Sequence, residues 1–359
     1  MRNHRVWIGL VISLVFLGLL FWQIEINQVF KHLKEADYIY VVPGVMIYFC
    51  ISVLFRTFRW QLLLTPIKSI SVRRLLPVVL VGYMANNVLP MRIGEIVRSY
   101  YLGKRENVST VATLATIAVE RVLDGLMLIG LLILVSIFTP VTGLVSNVAA
   151  ETSIHWSILV LGTTVPFVGI MALMWIIANH PKTIASISRL IINRLPKRFQ
   201  PVIKELVKKS LAGLEALKDS RRLSAIILIS FPVWSGEIGL FYLVGLSFDL
   251  DSILGGHMFM IVAMIIVTCI SNLATAIPAS QGSIGPFELF AVASLVVLGV
   301  SPEIATAFAL VLHLVLLVPI SVAGLVSLWI GNDSLKNVVN YKAPGSNMGK
   351  HPDNREGLI

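Results

Sequence analysis

Ionisable residues occur inside long apolar stretches of this sequence, where a charge is costly. Glu120 and Asp124, on either side of Arg121, lie near the middle of one such stretch. A charge near the centre of a bilayer costs roughly 2.5 to 3.5 kcal/mol on insertion scales, so such a group usually faces a partner or a polar cavity. Because the two carboxylates share one helical face, they repel each other unless a cation or a proton intervenes. The spacing predicts an arginine partner, Arg92 or Arg98, or a carboxyl that titrates and couples transport to protons.

A second group of charges directly follows a helix-breaking residue. Arg92, Glu95 and Arg98 come after Pro90 at intervals of three, which places them on one helical face. A glutamate between two arginines leaves a net positive site, and the free N–H groups at a helix start also favour an anion. The pattern predicts a site for a phosphate headgroup. The alternative is a structural ion-pair clamp that holds the segment in place.

Two apolar regions, 75–102 and 254–300, are interrupted by glycine, proline and polar residues, which predicts broken helices or re-entrant hairpins. The first break contains Asn87, Pro90 and Gly94, and the second contains Pro278, Gly282 and Gly285, followed by Glu288. Interrupted segments in the two halves of a chain are typical of transport sites built from inverted repeats. Since the spacings differ between the two breaks, a chance likeness is the alternative.

Other polar residues of the apolar stretches carry less weight. Arg56 and Arg59 lie toward the end of the second predicted span, where snorkelling to the headgroups is the expected role. Glu237 and Asn272 add polar groups to later spans. His257 and His313, on largely apolar faces, are expected to be hydrogen-bonded packing residues.

The composition indicates how these residues are positioned. The chain is 56% hydrophobic and 13% charged, whereas a soluble domain is roughly 25% charged. Apolar stretches of about 20 residues, enough to cross a bilayer, recur along the chain. The sequence therefore predicts an all-α polytopic integral membrane bundle with about eight membrane segments. Spans are predicted near 6–24, 39–64, 108–138, 156–178, 223–247 and 304–330, in addition to the two broken segments, within one domain over 1–331.

The distribution of lysine and arginine predicts the orientation. The segments 139–155 and 248–256 contain neither residue, whereas 179–222 contains eleven. The positive-inside rule then places both termini in the cytoplasm. The chain is expected in the cytoplasmic membrane. The basic segment 179–222 has helical apolar spacing, which fits a helix on an anionic membrane surface or a solvated helical hairpin. The tail 332–359 is polar and is expected to be disordered.

Several function classes find no support in the sequence. The net charge of +10 follows from the membrane topology, so no nucleic-acid partner is expected. There is no glycine-rich phosphate loop, zinc motif or nucleophile elbow. The two cysteines provide neither a disulfide framework nor a zinc site. Neither a metal nor a cofactor is expected, and a transporter is favoured over an enzyme.

Taken together, the charged and broken motifs resemble the lysylphosphatidylglycerol synthase transmembrane-region family, also called flippase-like, over roughly residues 5 to 330. The motifs are Asn87-x-Leu89-Pro90-x-Arg92-x-Gly94-Glu95-x-x-Arg98, Glu120-Arg121-x-x-Asp124, and Ile277-Pro278 through Gly282-x-x-Gly285-x-x-Glu288. The resemblance implies about eight membrane segments, with re-entrant helices around a polar cavity, and a homodimer. In bifunctional members such a module moves an aminoacylated phospholipid between leaflets, while a separate cytosolic domain transfers the amino acid. The sequence shows no such domain, so lysyl transfer by this chain alone is not expected.

The leading hypothesis is therefore a flippase that moves an anionic or aminoacylated phospholipid, or a polyprenyl-linked lipid, between leaflets. The predicted headgroup and translocation residues are Arg92, Glu95, Arg98, Glu120, Arg121, Asp124 and Glu288. One alternative is an integral-membrane lipid-modifying transferase, similar to phosphatidylglycerol lysyltransferase or related to polyprenyl-linked glycans, or the subunit that presents lipid to a separate transferase. Another alternative is an ion-coupled transporter of small solutes.

Overall fold

The structure, a computed structural model, describes residues 3–22, 24–89, 93–138, 156–194, 196, 199–277 and 281–331. These residues are almost entirely helical, and no strand occurs among them. The helices are α1 Asn3–Phe21, α2 Ile26–Glu35, α3 Val41–Ile47, α4 Leu54–Leu64, α5 Val72–Val88, α6 Gly94–Glu106, α7 Thr110–Phe138, α8 Trp156–Asn179, α9 Pro181–Ile192, α10 Gln200–Gly213, α11 Ser220–Leu246, α12 Leu250–Ile253, α13 His257–Ala274, α14 Pro286–Val297 and α15 Pro302–Ile330. The predicted all-α membrane fold is confirmed.

The long helices follow the apolar stretches of the sequence. Six predicted spans coincide with α1, α7, α8, α11, α15 and the continuous helix Tyr38–Leu64, in which a π-helical segment, Tyr48–Val53, joins α3 to α4. Within the described part of the chain, four helices are able by length and composition to cross a membrane, or up to six if each of two sharply bent helix pairs forms one span. At 29 residues α7 is also long enough, but it carries three charged residues. The count of about eight membrane segments stays a prediction.

Both interrupted regions form helical hairpins. α5 and α6 pack against each other on either side of the first break, and α13 and α14 do so on either side of the second. Pro90 and Arg92 of the first break and Pro278 of the second lie outside the described residues. In the first hairpin a Cβ atom added at Gly94 would lie 2.4 Å from both the Gly82 carbonyl oxygen and the Asn86 backbone nitrogen. The two helices approach this closely because Gly94 has no side chain.

The two hairpins meet on α15. From the end of α5, the Asn87 side chain donates to the Leu317 carbonyl oxygen at 3.3 Å and to Ser321 Oγ at 3.0 Å. At the second break, a Cβ atom added at Gly282 would lie 3.1 Å from the Leu317 side chain. One side of α15 therefore supports both breaks, while the proposed inverted repeat stays a prediction.

The basic segment after α8 is helical, as its apolar spacing predicts. α9 leaves α8 at an angle of 91°. Together α9 and α10 expose several large apolar side chains, those of Ile187, Leu190, Val202 and Leu206, and Phe199 directly before α10 is exposed as well. A helix on a membrane surface and a solvated hairpin both stay predictions for this segment. The tail 332–359 lies outside the described residues, and the single-domain boundaries remain predictions.

Candidate functional site, a buried charged cluster

Four helices bring eight charged residues together in the interior, and we call these residues the charged cluster. The cluster comprises Arg56 and Arg59 from α4, Glu95 and Arg98 from α6, Glu120, Arg121 and Asp124 from α7, and Glu237 from α11. Six of these residues are buried, and only Arg121 and Glu95 are partly exposed. With four guanidinium groups and four carboxylates, the formal charge of the described cluster is zero.

Arg59 lies at the centre of the charged cluster. Its side chain is fully buried, and its Nη2 atom lies 2.7 Å from Asp124 Oδ1 and 3.6 Å from Glu120 Oε1. Its Nη1 atom donates to Ser230 Oγ at 3.0 Å. The guanidinium thus stands between the two carboxylates that share a face of α7. It supplies the positive charge that their spacing requires, because an isolated buried carboxylate pair is strongly disfavoured.

Arg98 holds the other side of Glu120. Its Nη2 and Nη1 atoms lie 3.2 Å and 3.4 Å from the two oxygens of Glu120. The guanidinium also stacks over the ring of Trp60 at 3.8 Å from the ring centroid. The Trp60 indole N–H donates in turn to Thr116 Oγ1 at 3.1 Å, which fixes the ring. Arg98 is therefore bound by ion pairing and cation–π contact together.

The Arg56–Glu237 pair joins α4 to α11. Arg56 Nη2 lies 2.6 Å from Glu237 Oε2, whereas the Asn272 side chain on α13 donates to the Thr268 carbonyl oxygen of its own helix at 2.9 Å. The two helices come close because Gly236 has no side chain. A Cβ atom added there would lie only 2.7 Å from the Ser52 backbone nitrogen, inside the π-helical segment. π-helical turns inside helices are frequent at functional sites. Here the turn lies one residue before the helix that carries both arginines.

Arg121 forms the accessible edge of the charged cluster. Its Nη2 atom lies 3.0 Å from Glu120 Oε1 and 3.3 Å from Asp124 Oδ2, and its side chain is 31% exposed. Its Nε atom lies 3.7 Å from Glu95 Oε1, which is too long for a hydrogen bond. Among the described residues no acceptor receives the Nε–H of Arg121, although this atom is itself buried. Arg121 thus combines a partly exposed side chain at the edge with a buried Nε–H that has no acceptor among the described residues.

A comparison with the sequence expectations shows which residues the fold brings together. The prediction that an arginine pairs with the carboxylates of α7 is confirmed for Arg98, whereas Arg92 lies outside the described residues. The snorkelling interpretation of Arg56 and Arg59 is wrong, because they are 6% and 0% exposed and are paired with buried carboxylates. Glu95 lies in the first turn of α6, as its position after the break indicates.

Sequence reasoning missed two residues that support the charged cluster. Ser230 binds Arg59, and Trp60 stacks on Arg98. A tryptophan next to an arginine in an apolar helix was a detectable pattern for a cation–π contact. Ser230 carries no local pattern, because its partner comes from a distant helix.

Glu288 and His313 form a separate pair. Glu288 accepts a hydrogen bond from the Gly285 backbone N–H at 2.7 Å and contacts the His313 ring, and no described ion pair joins it to the charged cluster. His313 is therefore a hydrogen-bonded buried histidine, as expected from its apolar surroundings. The other predicted histidine, His257, contacts Tyr242 at 2.9 Å and is largely exposed. No group of three described His, Cys, Asp or Glu side chains is arranged to hold a metal ion.

Arg98→Lys tests the geometry of the charged cluster. A lysine keeps the charge but loses both the two-point contact with Glu120 and the planar stacking on Trp60. We expect a loss of about 1 to 2 kcal/mol in the free energy of unfolding, less than a charge-assisted hydrogen bond and a desolvated cation–π contact together, because the lysine ammonium retains part of both interactions. Thermal unfolding of the purified protein in detergent measures it. Arg73→Lys, at an exposed arginine of α5, is the matched control and should change stability by less than about 0.5 kcal/mol.

The fold and the charged cluster together define a multi-pass helical membrane protein with paired charges in its interior. The chain matches the Lysylphosphatidylglycerol synthase TM region family over residues 6–324 and belongs to that family.

Several relatives are similar in sequence over most of the chain. A UPF0104 membrane protein of Methanothermobacter thermautotrophicus is 27% identical over 345 residues, covering 91% of this chain and 95% of the relative. A UPF0104 membrane protein of Pyrococcus horikoshii is 24% identical, covering 82% of this chain and 88% of the relative. Glycosyltransferase AglD of Haloferax volcanii is 25% identical, and the alignment covers 95% of this chain but only 57% of AglD. No solved structure matches the chain.

Proposed function

We propose that the protein is a lipid translocator that binds a phosphate-bearing headgroup at the Arg121 edge of the charged cluster. The acyl chains remain in the bilayer while the headgroup crosses along the polar interior. The protein would act in the cytoplasmic membrane with both termini in the cytoplasm. The lipid classes considered are anionic or aminoacylated phospholipids and polyprenyl-linked lipids.

The observation that carries this proposal is the unpartnered N–H donor of Arg121. Three buried guanidinium groups, those of Arg59, Arg98 and Arg121, have an Nε–H with no hydrogen-bond acceptor among the described residues. A buried donor without an acceptor is expensive, so such a group in a native interior calls for a functional reason. Arg121 alone of the three also has a partly exposed side chain. A phosphate oxygen is the acceptor that a guanidinium favours.

The weak Arg121–Glu95 pair at the edge would allow a headgroup to replace the Glu95 carboxylate as the partner of Arg121. Glu95 lies 3.7 Å from Arg121, and both side chains are partly exposed, at 27% and 31%. Such a pair contributes little stability, so an anionic phosphate group would compete with Glu95 for Arg121. The start of α6 at Gly94 adds free N–H groups and a positive helix end beside the same edge. Arg92, directly before that start in sequence, would add a further positive charge.

The buried part of the charged cluster provides the polar environment for this exchange. Moving an ionised phosphate into hydrocarbon without partners is prohibitive, because the desolvation of an isolated charge is far larger than any single contact. Paired arginines and carboxylates supply fixed partners that replace water. If the Glu95 carboxylate leaves the edge as the headgroup arrives, one anionic group replaces another and the formal charge of the cluster stays zero.

A second candidate function is the presentation of a lipid-linked substrate to a transferase. It is favoured by the relative named Glycosyltransferase AglD, in which a region like this chain accounts for 57% of the length. In that case a separate transferase is a partner of the protein. Lipid extracts from cells with and without the protein would then differ in the mass of a lipid-linked product, whereas translocation alone changes only the leaflet.

Arg121→Gln tests the translocation proposal. The full chain is reconstituted in liposomes with a fluorescent phosphatidylglycerol, an aminoacylated phospholipid or a polyprenyl phosphate, and leaflet exchange is followed with a membrane-impermeant quencher. We expect the wild type to accelerate exchange of at least one of these lipids. Arg121→Gln should lower that acceleration about tenfold, the effect of one charge-assisted hydrogen bond worth ~1.5 kcal/mol.

Arg73→Gln, which removes an exposed arginine outside the charged cluster, is the matched control and should retain the wild-type rate. Thermal unfolding in detergent verifies that each variant is folded. If the wild type accelerated leaflet exchange of none of the three lipid classes relative to empty liposomes, the proposal would be refuted. Equal rates for wild type and Arg121→Gln would remove Arg121 from it, and Arg92→Ala then tests the other arginine of the predicted site.

A further inference from the structure

A second buried pair of titratable groups fastens the second hairpin. Glu288 on α14 and His313 on α15 are 4% and 5% exposed. His313 Nδ1 lies 2.5 Å from Glu288 Oε1, and the Phe287 ring packs against the imidazole with 4.3 Å between the centroids. The other imidazole nitrogen, Nε2, lies 3.0 Å from the Gly282 carbonyl oxygen in the break itself. Both ring nitrogens therefore contact the hairpin.

The hydrogen-bond partners fix the number of protons in this pair. The Gly282 carbonyl only accepts, so His313 Nε2 carries a hydrogen. The Gly285 N–H donates to Glu288 Oε2, so that oxygen is an acceptor. A single hydrogen must then lie between Nδ1 and Oε1, either as imidazolium with carboxylate or as imidazole with carboxylic acid. Without it, two lone pairs would face each other across the contact.

The contact holds a tip whose backbone is in the left-handed region. Gly282, Ser283 and Gly285 have φ angles of 65°, 60° and 102°. A non-glycine residue in this region is strained, and such strain persists only where surrounding contacts maintain it. Those contacts are the His313 hydrogen bonds and a hydrogen bond from Ser13 Oγ on α1 to the Ile284 carbonyl oxygen at 2.6 Å. Releasing His313 would free the tip from α15.

Other titratable groups on the packed elements have partners or positions elsewhere. Glu237 on α11 belongs to the charged cluster, and no described hydrogen bond joins Tyr83 on α5 or Cys269 on α13 to the tip. The remaining groups are Tyr242 on α11 and His257 on α13, which contact each other, Glu303 at the start of α15, Arg73 and Arg74 on α5, Arg221 and Arg222 on α11, and Lys31, His32, Lys34 and Glu35 on α2. Of the described titratable side chains, only Glu288 and His313 contact one another at the tip.

We propose that Glu288 and His313 form a one-proton binding site that latches the tip of the second hairpin to α15. The latch is closed while the shared proton is present and opens as the pH rises and the proton leaves. Asn87 of the first hairpin is bound to α15 at Leu317 and Ser321, one and two turns beyond His313. Opening the latch therefore changes the packing where the two hairpins meet. Opening of the latch would then gate lipid movement, a step that rests on the proposed function.

Hydrogen–deuterium exchange of residues 281–290 tests the latch in the full chain, held in phosphatidylcholine nanodiscs. After correction for the intrinsic exchange rate, protection in the wild type should fall about tenfold between about pH 6 and about pH 9. In Glu288→Gln the amide nitrogen donates to His313 Nδ1 and the amide oxygen accepts from Gly285, with no proton to lose. Its protection should stay constant over the same range. Glu303→Gln, on α15 with His313, is the matched control and should behave as the wild type.

His313→Phe keeps an aromatic ring beside Phe287 but holds no proton, so its protection should be low at every pH. Constant protection of the wild type across the range, or the same pH dependence in wild type and Glu288→Gln, would refute the proton latch. Because the readout is the exchange of tip amides, it does not depend on lipid movement. A protein that moves no lipid and still shows these results would overturn the proposed function alone.

Discussion

Replacing Arg59 with methionine is expected to destabilise the protein by about 3 to 5 kcal/mol, the cost of leaving a buried charge without its partner. The substitution removes the fully buried cation that lies 2.7 Å from Asp124 and 3.6 Å from Glu120. The two carboxylates on one face of α7 would then have only the surrounding arginines of the charged cluster as partners. Thermal unfolding in detergent, together with the yield of folded protein, measures the loss.

The double variant Arg59→Met with Asp124→Leu gives this prediction its specificity. It removes one positive and one negative charge together, so three arginines and three carboxylates remain. Replacing a buried ion pair with apolar side chains of similar size is often nearly neutral, so the double variant should recover most of the lost stability. If Arg59→Met alone were as stable as the wild type, the ion pairing described for the centre of the cluster would be wrong.

Gly94→Ala is expected to have the second largest effect on stability. The added Cβ atom would lie 2.4 Å from backbone atoms of α5, which cannot rotate away as a side chain would. The hairpin must then separate, at a cost of about 2 to 3 kcal/mol, as for other insertions into well-packed interiors. Since Glu95 and Arg98 follow on the same helix, their contacts with α7 should weaken too. Loss of thermal stability, measured in detergent, reports the effect.

Gly130→Ala provides the matched control. Gly130 lies in α7, and a Cβ atom there would meet nothing within 4 Å. Alanine is favoured over glycine in a helix by about 1 kcal/mol, so this variant should be at least as stable as the wild type. Equal stability of Gly94→Ala and Gly130→Ala would contradict the close approach of α5 and α6.

The sequence predicts the helices well because each apolar stretch has the length that a bilayer requires. The same reasoning locates both hairpin breaks, since proline and glycine interrupt the apolar pattern at Pro90 and at Gly282. The spacing of residues along one helix does not show which other helix it packs against. Arg59 and Ser230 are 171 residues apart, and Arg56 and Glu237 are 181 apart. Their pairing depends on the approach of α4 and α11, which the absence of a side chain at Gly236 permits.

The same limit explains the incorrect interpretation of Arg56 and Arg59. Snorkelling is the usual behaviour of an arginine near the end of a span, and local sequence gives no reason to expect otherwise. Buried carboxylates on α7 and α11 change the outcome, because an ion pair in the interior replaces the headgroup region as the partner. In contrast, the partnership of Arg98 with Glu120 was predictable, since both belong to motifs that already required a counter-charge.

The central claim is that the Arg121 edge of the charged cluster binds a phosphate-bearing lipid. Mass spectrometry of the lipids that remain bound to the purified protein tests it most directly. We predict that a phosphate-bearing lipid co-purifies with the wild type and with Arg73→Gln, and that Arg121→Gln loses up to about 90% of it, the loss that a tenfold weaker affinity gives at low occupancy. Retention of the same lipid, in the same amount, by Arg121→Gln would contradict the claim.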